Sequence, residues 1–333
     1  MLTNIYSYAR AKCVPARRIV RRAENIQSLR YSRRLGQGVR YRGAEKKWPS
    51  TVQICSKHHD LVSRVKVLQI AFIFMMASVL TGCSTVPNTF APVDPLPARE
   101  FSHQLLNGIL HDHVVDGRVE YPSIQSDPRF PQYLAQLDRV DPNSLPTQDD
   151  QLAFWINTYN ALAIKGIVDH YSPETLWGRY KYFLAREYPV GGRHLTLDSL
   201  ESRILIAQFR EPRIHFVIVC ASASCPKLQS RAYQAAELDS QLEAAAKAFI
   251  KDPTRNRFDR QQKVAALSKI FEWFEADFAA QAGSLLKYVA RYLDDPDLAQ
   301  ELTNTPYRVE FLDYDWRLNG VSPVAVIDAR GAK

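Results

Sequence analysis

Arg213-Ile-His-Phe-Val-Ile-Val-Cys220-Ala-Ser-Ala-Ser-Cys225-Pro226 is the stretch on which the reading of this chain turns. From Ile214 to Val219 it is apolar and β-branched, broken only by His215. Such a run predicts a strand buried on both faces. It stops abruptly in small polar residues, two cysteines and a proline suited to the first turn of a helix. That layout is the one expected of a reactive turn, where backbone N–H groups favour a thiolate or bind an oxyanion. In a strand, His215, Val217 and Val219 share one side and Cys220 takes the other. Contact between His215 and either sulfur would then need a bulge, or a loop that folds Cys225 back.

Outside this stretch the charge is unevenly spread. The formal net charge is +8. Residues 1–64 hold 15 Lys and Arg against three acids, a net of +12, whereas the remainder holds 28 against 32, a net of −4. The basic character belongs to the leader, and the body offers no nucleic-acid footprint.

Arg64 and Lys66 precede an apolar run, 67–80, interrupted by Gln69. At about 14 residues it is short for a membrane span and right for the core of a signal peptide. Leu80-Thr81-Gly82-Cys83 follows at once, in the manner of a bacterial lipobox whose cysteine carries the lipid. Ser84 in place of Asp directs such a protein to the outer membrane. The expectation is an outer-membrane lipoprotein facing the periplasm, with residues 65–83 as signal peptide and Cys83 as membrane anchor. A signal-anchor helix with an incidental cysteine is the alternative. The leader, 1–64, is expected to be a mis-called start, translation beginning near Val65, or else a disordered extension. Residues 84–97 hold Pro87, Pro92, Pro95 and Pro97 and read as a tether.

Residues 98–328 then read as one α+β domain with helices around a small sheet. Helices are expected over 98–115, 131–140, 147–168, 197–209, 235–250, 269–280 and 285–293. Strands are expected near 118–121, 214–219, 264–267, 307–312 and 324–327. The helix from Thr147 is apolar nearly all round and so buried, yet it carries Asn157 and Asn160 on one face. Buried amides must find partners; they either hold neighbouring loops or, for Asn157, point into a site. The aromatic face of 269–280 reads as core in preference to a cofactor box.

The mature chain keeps two thiols, Cys220 and Cys225. Three chemistries fit them: a nucleophile activated by His215, a disulfide stapling the loop in an oxidising periplasm, or a metal site with His215 as third ligand. Nothing nearby has the paired spacing of a zinc motif, and a spacing of five is not Cys-x-x-Cys. Lys165-Gly166 lacks the Gly-rich loop of a phosphate cradle. No metal and no cofactor is expected.

Phe154-Trp-Ile-Asn-Thr-Tyr-Asn160, His215-Phe with Cys220-Ala-Ser-Ala-Ser-Cys225-Pro226, Leu267-Ser-Lys-Ile-Phe-Glu-Trp273 with Asp277-Phe278, Tyr314-Asp-Trp-Arg-Leu-Asn319 and Val115-Asp-Gly-Arg-Val-Glu-Tyr121 together resemble the domain of unknown function 547 family. The resemblance implies a papain- or transglutaminase-like α+β architecture with a cysteine-dependent site. It implies that Cys220 is the nucleophile, since plant members keep that cysteine and carry serine at the position of Cys225. This chain reads Leu200-Glu201-Ser202 where the family has Ile-Glu-His, so Glu201 is kept and a histidine is lost. Two functions follow. One is a cysteine hydrolase or acyltransferase on an amide or peptide-like substrate, with Cys220 attacking, His215 as base, and Glu201 or Asn157 orienting or stabilising. The other is a noncatalytic envelope binding module with a Cys220–Cys225 disulfide loop.

Overall fold

The computed structural model describes residues 94–323. The leader, the signal peptide, Cys83, most of the tether and the strand expected at 324–327 lie outside the described residues. What is described is an α+β domain: helices surrounding small sheets.

The chain enters through α1 (Gln104–His113), the hairpin of β1 (Val114–Val115) and β2 (Arg118–Glu120), α2 (Tyr121–Ser126) and α3 (Arg129–Arg139). The central helix is α4 (Gln148–Val168). Its start is a capping box: Thr147 Oγ1 accepts from Asp150 N at 3.0 Å, and Asp150 Oδ2 accepts from Thr147 N at 3.1 Å. Every residue from Leu152 to Ile164 is buried, as the apolar composition on all sides requires. Each large apolar side chain removed from water there contributes roughly 1.5–3 kcal/mol.

Next come α5 (Leu176–Arg179), which runs on as a π-helical turn over Tyr180–Ala185, and the hairpin of β3 (Tyr188–Val190) and β4 (Arg193–Leu195) turned by Gly191 and Gly192. The helix expected over 197–209 forms, but only α6 (Leu197–Ser199) is α-helical; Leu200–Phe209 is wound as a π-helix. Such widened segments are rare and concentrate at functional sites.

The strand expected over 214–219 is not there. Pro212–Phe216 is a 3-10 turn capped by Glu211, whose side chain accepts from Arg213 N at 2.9 Å, and the chain continues irregularly to Cys220. The physical reason lies in where its polar backbone groups go. Asn160 donates Nδ2–H to Val217 O at 2.9 Å and accepts from Val219 N at 2.8 Å, so one side-chain amide replaces a strand partner. A continuous apolar run reports burial and leaves the backbone conformation open.

Beyond it, α7 (Leu238–Lys251) and β5 (Arg257–Asp259) lead to β6 (Val264–Leu267). The helix expected over 269–280 breaks at Phe274 into α8 (Lys269–Trp273) and α9 (Glu275–Ala282). Its aromatic face is core, as read: Phe271 and Phe278 meet at 5.0 Å between ring centres, and Phe278 meets Phe216 at 5.5 Å. The fold closes through α10 (Leu285–Ala290), α11 (Pro296–Asn304), β7 (Arg308–Phe311) and β8 (Gly320–Val321). β7 pairs parallel with β6, and β8 pairs parallel with β2 across the whole length of the domain's sequence. Gly320 is required at that seam, because a Cβ there would stand 2.0 Å from Val119 O. This closure brings 314–319 against the cysteine loop.

Candidate functional site

The loop after Val219 is held by main-chain pairing to the segment before β8. Asn319 N donates to Ala221 O at 3.0 Å, Ala223 N to Arg317 O at 2.7 Å, and Ser224 N to Asp315 O at 3.2 Å. Arg255 supports it from the other side, donating Nη2–H to Cys225 O at 2.6 Å and to Ala223 O at 3.3 Å. These bonds hold Ala221 at φ +64°, in the left-handed region. For alanine that conformation is unfavourable by roughly 1–2 kcal/mol. It falls on the residue directly after Cys220.

Cys220 and Cys225 are joined as a disulfide with their Cα atoms 6.3 Å apart. The sulfurs lie among hydroxyls. Cys220 Sγ is 3.2 Å from Ser222 Oγ and 3.3 Å from the Tyr314 hydroxyl, and Cys225 Sγ is 3.2 Å from that same hydroxyl. Ser222 Oγ donates to the Tyr314 oxygen at 2.9 Å. Cys225 is buried while Cys220 is half-buried, so the latter sulfur belongs to the accessible side. Burial pushes the Tyr314 phenol well above its ordinary range, and the Glu201 carboxylate adds to this against Ser222 and Arg255. Tyr314 therefore stays protonated and can donate. Glu201 is buried on the π-helix and accepts from the Tyr159 hydroxyl at 3.1 Å.

His215 is buried and stacks on Phe274 with ring centres 3.8 Å apart. The break at Phe274 is what turns that ring onto the imidazole. Nε2 lies 2.9 Å from Asp277 Oδ2. A carboxylate only accepts, so Nε2 carries the proton. Asn157 is used elsewhere: its amide donates to Tyr233 O at 2.8 Å and accepts from Tyr233 N at 2.9 Å, clamping the loop before α7. The structure thus brings Cys220 and Cys225 together, gives Glu201 to the Tyr159 hydroxyl, His215 to Asp277 and Asn157 to a main-chain clamp.

Sequence reasoning did not place Tyr314, Ser222, Asp277, Asn160 or Arg255 in the site. Tyr314 and Asp277 each stand inside a quoted motif, which was the available signal; Arg255 had none. Among the described residues no group of three or more His, Cys, Asp or Glu is arranged to hold a metal ion, and no helix is long and apolar enough to cross a membrane.

Fold and site together define an α+β domain built around a polar cystine loop. Residues 142–250 match the family model described as Protein of unknown function, DUF547, which supports that family. The match holds Asn157, Asn160, Glu201, His215, Cys220 and Cys225, and stops before Asp277 and Tyr314. No curated protein and no solved structure matches the chain.

Proposed function

We propose that this chain is an envelope lipoprotein whose domain is a cysteine-dependent hydrolase or acyltransferase, active in the reduced form on an amide or peptide-like substrate. The observation that carries the reading is the strained Ala221 held immediately after a sulfur ringed by hydroxyls. Strain of that kind is retained where the surroundings over-determine it, and it clusters at active sites. The bridge is first opened by a dithiol reductant, which supplies two electrons and two protons and is itself oxidised to a disulfide. The Cys220 thiolate then attacks the substrate carbonyl carbon, forming a C–S bond and sending the carbonyl π pair to oxygen. The Tyr314 O–H donates to that oxyanion. Collapse breaks the C–N bond, and the amine leaves with the thiol proton carried by His215, a transfer that requires the imidazole to come within hydrogen-bond reach of the sulfur. Water or an acceptor amine then releases the acyl group. Asp277 orients His215, a role the sequence reading offered to Glu201 or Asn157; Glu201 acts on the electrostatics of Tyr314.

A second reading is favoured by one observation, the Cys220–Cys225 bridge itself: a noncatalytic envelope binding module whose loop the disulfide closes. Iodoacetamide labelling of native protein, followed by peptide mass mapping with and without mild reductant, separates the two. The enzyme reading expects Cys220 to label rapidly after mild reduction and well before Cys225. A bridge that survives mild reductant, or equal and slow labelling of both thiols, supports the binding module instead.

The anchoring half of the proposal is supported by the order of charge, apolar run and Leu80-Thr81-Gly82-Cys83. Its test is membrane fractionation of a Cys83→Ala variant.

A further inference from the structure

We propose that Arg179 and Trp316 form a subsite, beside the cysteine loop, for the free terminal carboxylate of a peptide-like ligand. This deepens the hydrolase reading, and rests on it only for the identity of the neighbouring reactive centre. Arg179 is half-buried at the end of α5, with its guanidinium 4.4 Å over the Trp316 ring. Trp316 packs on Tyr314 at 4.5 Å between ring centres, and the Tyr314 hydroxyl is the group 3.3 Å from the Cys220 sulfur. Two rings therefore connect the guanidinium to the sulfur. Trp273, 4.7 Å from Tyr314 and 5.9 Å from Trp316, completes the aromatic wall.

Arg179 combines its place over the Trp316 ring with the absence, among the described residues, of a carboxylate partner at hydrogen-bond distance. Arg129, Arg213, Arg260 and Arg317 each meet an acidic side chain at hydrogen-bond distance. Arg179 makes no ion pair among the described residues; it donates only Nη1–H to Pro173 O, at 3.3 Å. Burial alone perturbs it, lowering its pKa with no acidic neighbour to offset the cost. A guanidinium has five donors in a planar fork matched to a carboxylate. Stacked on an indole and partly desolvated, it is preorganised for one. On the same helix Trp177 and Tyr180 stack at 5.1 Å and stand 64% and 48% exposed, extending an apolar ledge outward for the rest of the ligand.

The test uses the disulfide-bridged full chain, which has no free thiol at the loop, so binding is read apart from catalysis. Isothermal titration compares acetyl-trialanine acid with acetyl-trialanine amide. The acid is expected to bind saturably and about tenfold or more tighter than the amide, the scale of one charge-assisted hydrogen bond. In Arg179→Gln that preference is expected to vanish, and in Arg179→Lys to survive in part, with thermal midpoints confirming the fold. Equal binding of acid and amide, binding of neither, or a preference that persists in Arg179→Gln overturns the proposal. Displacement of the acid by an equal concentration of a phosphate monoester overturns the carboxylate assignment. The wild-type comparison needs no variant to fold. Should the acid preference hold while reduced protein shows no reactive Cys220, the subsite stands and the hydrolase reading falls.

Discussion

Ala221 carries the most specific local statement in this structure. At φ +64° it pays for its Cβ, so Ala221→Gly should leave the thermal midpoint unchanged or raise it. Ala221→Val should lower stability by roughly 1–3 kcal/mol, since a β-branched residue resists that region still more. Equal midpoints for the two variants in urea titrations would show that the loop is free to relax. Asn160 is the second such residue. Removing its amide in Asn160→Ala orphans Val217 O and Val219 N, each buried group costing about 1–3 kcal/mol. The expected loss is therefore several kcal/mol, together with slower labelling of Cys220 because its approach segment is no longer held. At this scale the sequence was partly legible. It marked both asparagines as buried amides needing partners, but spacing along a helix does not say which main-chain atoms a side chain will meet. The pairing of His215 with Asp277 spans 62 positions and depends on the helix break at Phe274, which a run of good helix formers conceals.

Among the elements, α4 was the most legible, because its cap, its length and its all-round apolar character agree with one another. Thr147→Ala should cost about 1 kcal/mol by removing the cap, measured as a shift in the urea midpoint at constant slope. The segment before Cys220 was the least legible. A strand and a buried 3-10 turn bury the same residues, and what distinguishes them here is a side-chain amide from another helix. The π-winding of Leu200–Phe209 likewise leaves no periodic trace that a short helix would reveal. The cystine loop makes its own prediction. Closing so short a loop removes little entropy from the unfolded chain, about 2 kcal/mol on the loop-length relation. Mild reduction should accordingly lower the thermal midpoint modestly while far-ultraviolet circular dichroism keeps its native form. Unfolding on reduction would mean that the bridge is essential to the fold, and no reducible switch could then sit there.

For the molecule as a whole, the pH response of stability should carry the mark of His103. Burial pushes its imidazole from an ordinary 6.5 down to about 4, with Asp150 opposing, and Nδ1 lies 2.8 Å from the Tyr133 hydroxyl. The unfolded chain takes up a proton that the folded domain refuses. Stability is therefore complete above pH 6.5 and is lost as the pH falls from 6.5 towards 4, by about 3 kcal/mol in all. His103→Gln should flatten that part of the curve relative to wild type; superimposable curves would contradict the assignment. Charge partition makes a parallel point about legibility at this scale: dividing the chain at residue 64 assigns the basic excess to the leader, whereas the meeting of residues 220–225 with 314–319 required the domain to close through β2 and β8.

The most direct measurement is the pH dependence of iodoacetamide alkylation at Cys220 in gently reduced protein, with Cys225→Ser leaving one thiol at the loop. The Tyr314 hydroxyl, 3.3 Å from the sulfur and itself accepting from Ser222, should stabilise the thiolate, so the rate should titrate with a pKa clearly below the ordinary value of about 8.5. A midpoint at or above 8.5 would contradict the account and leave the cystine loop as a scaffold.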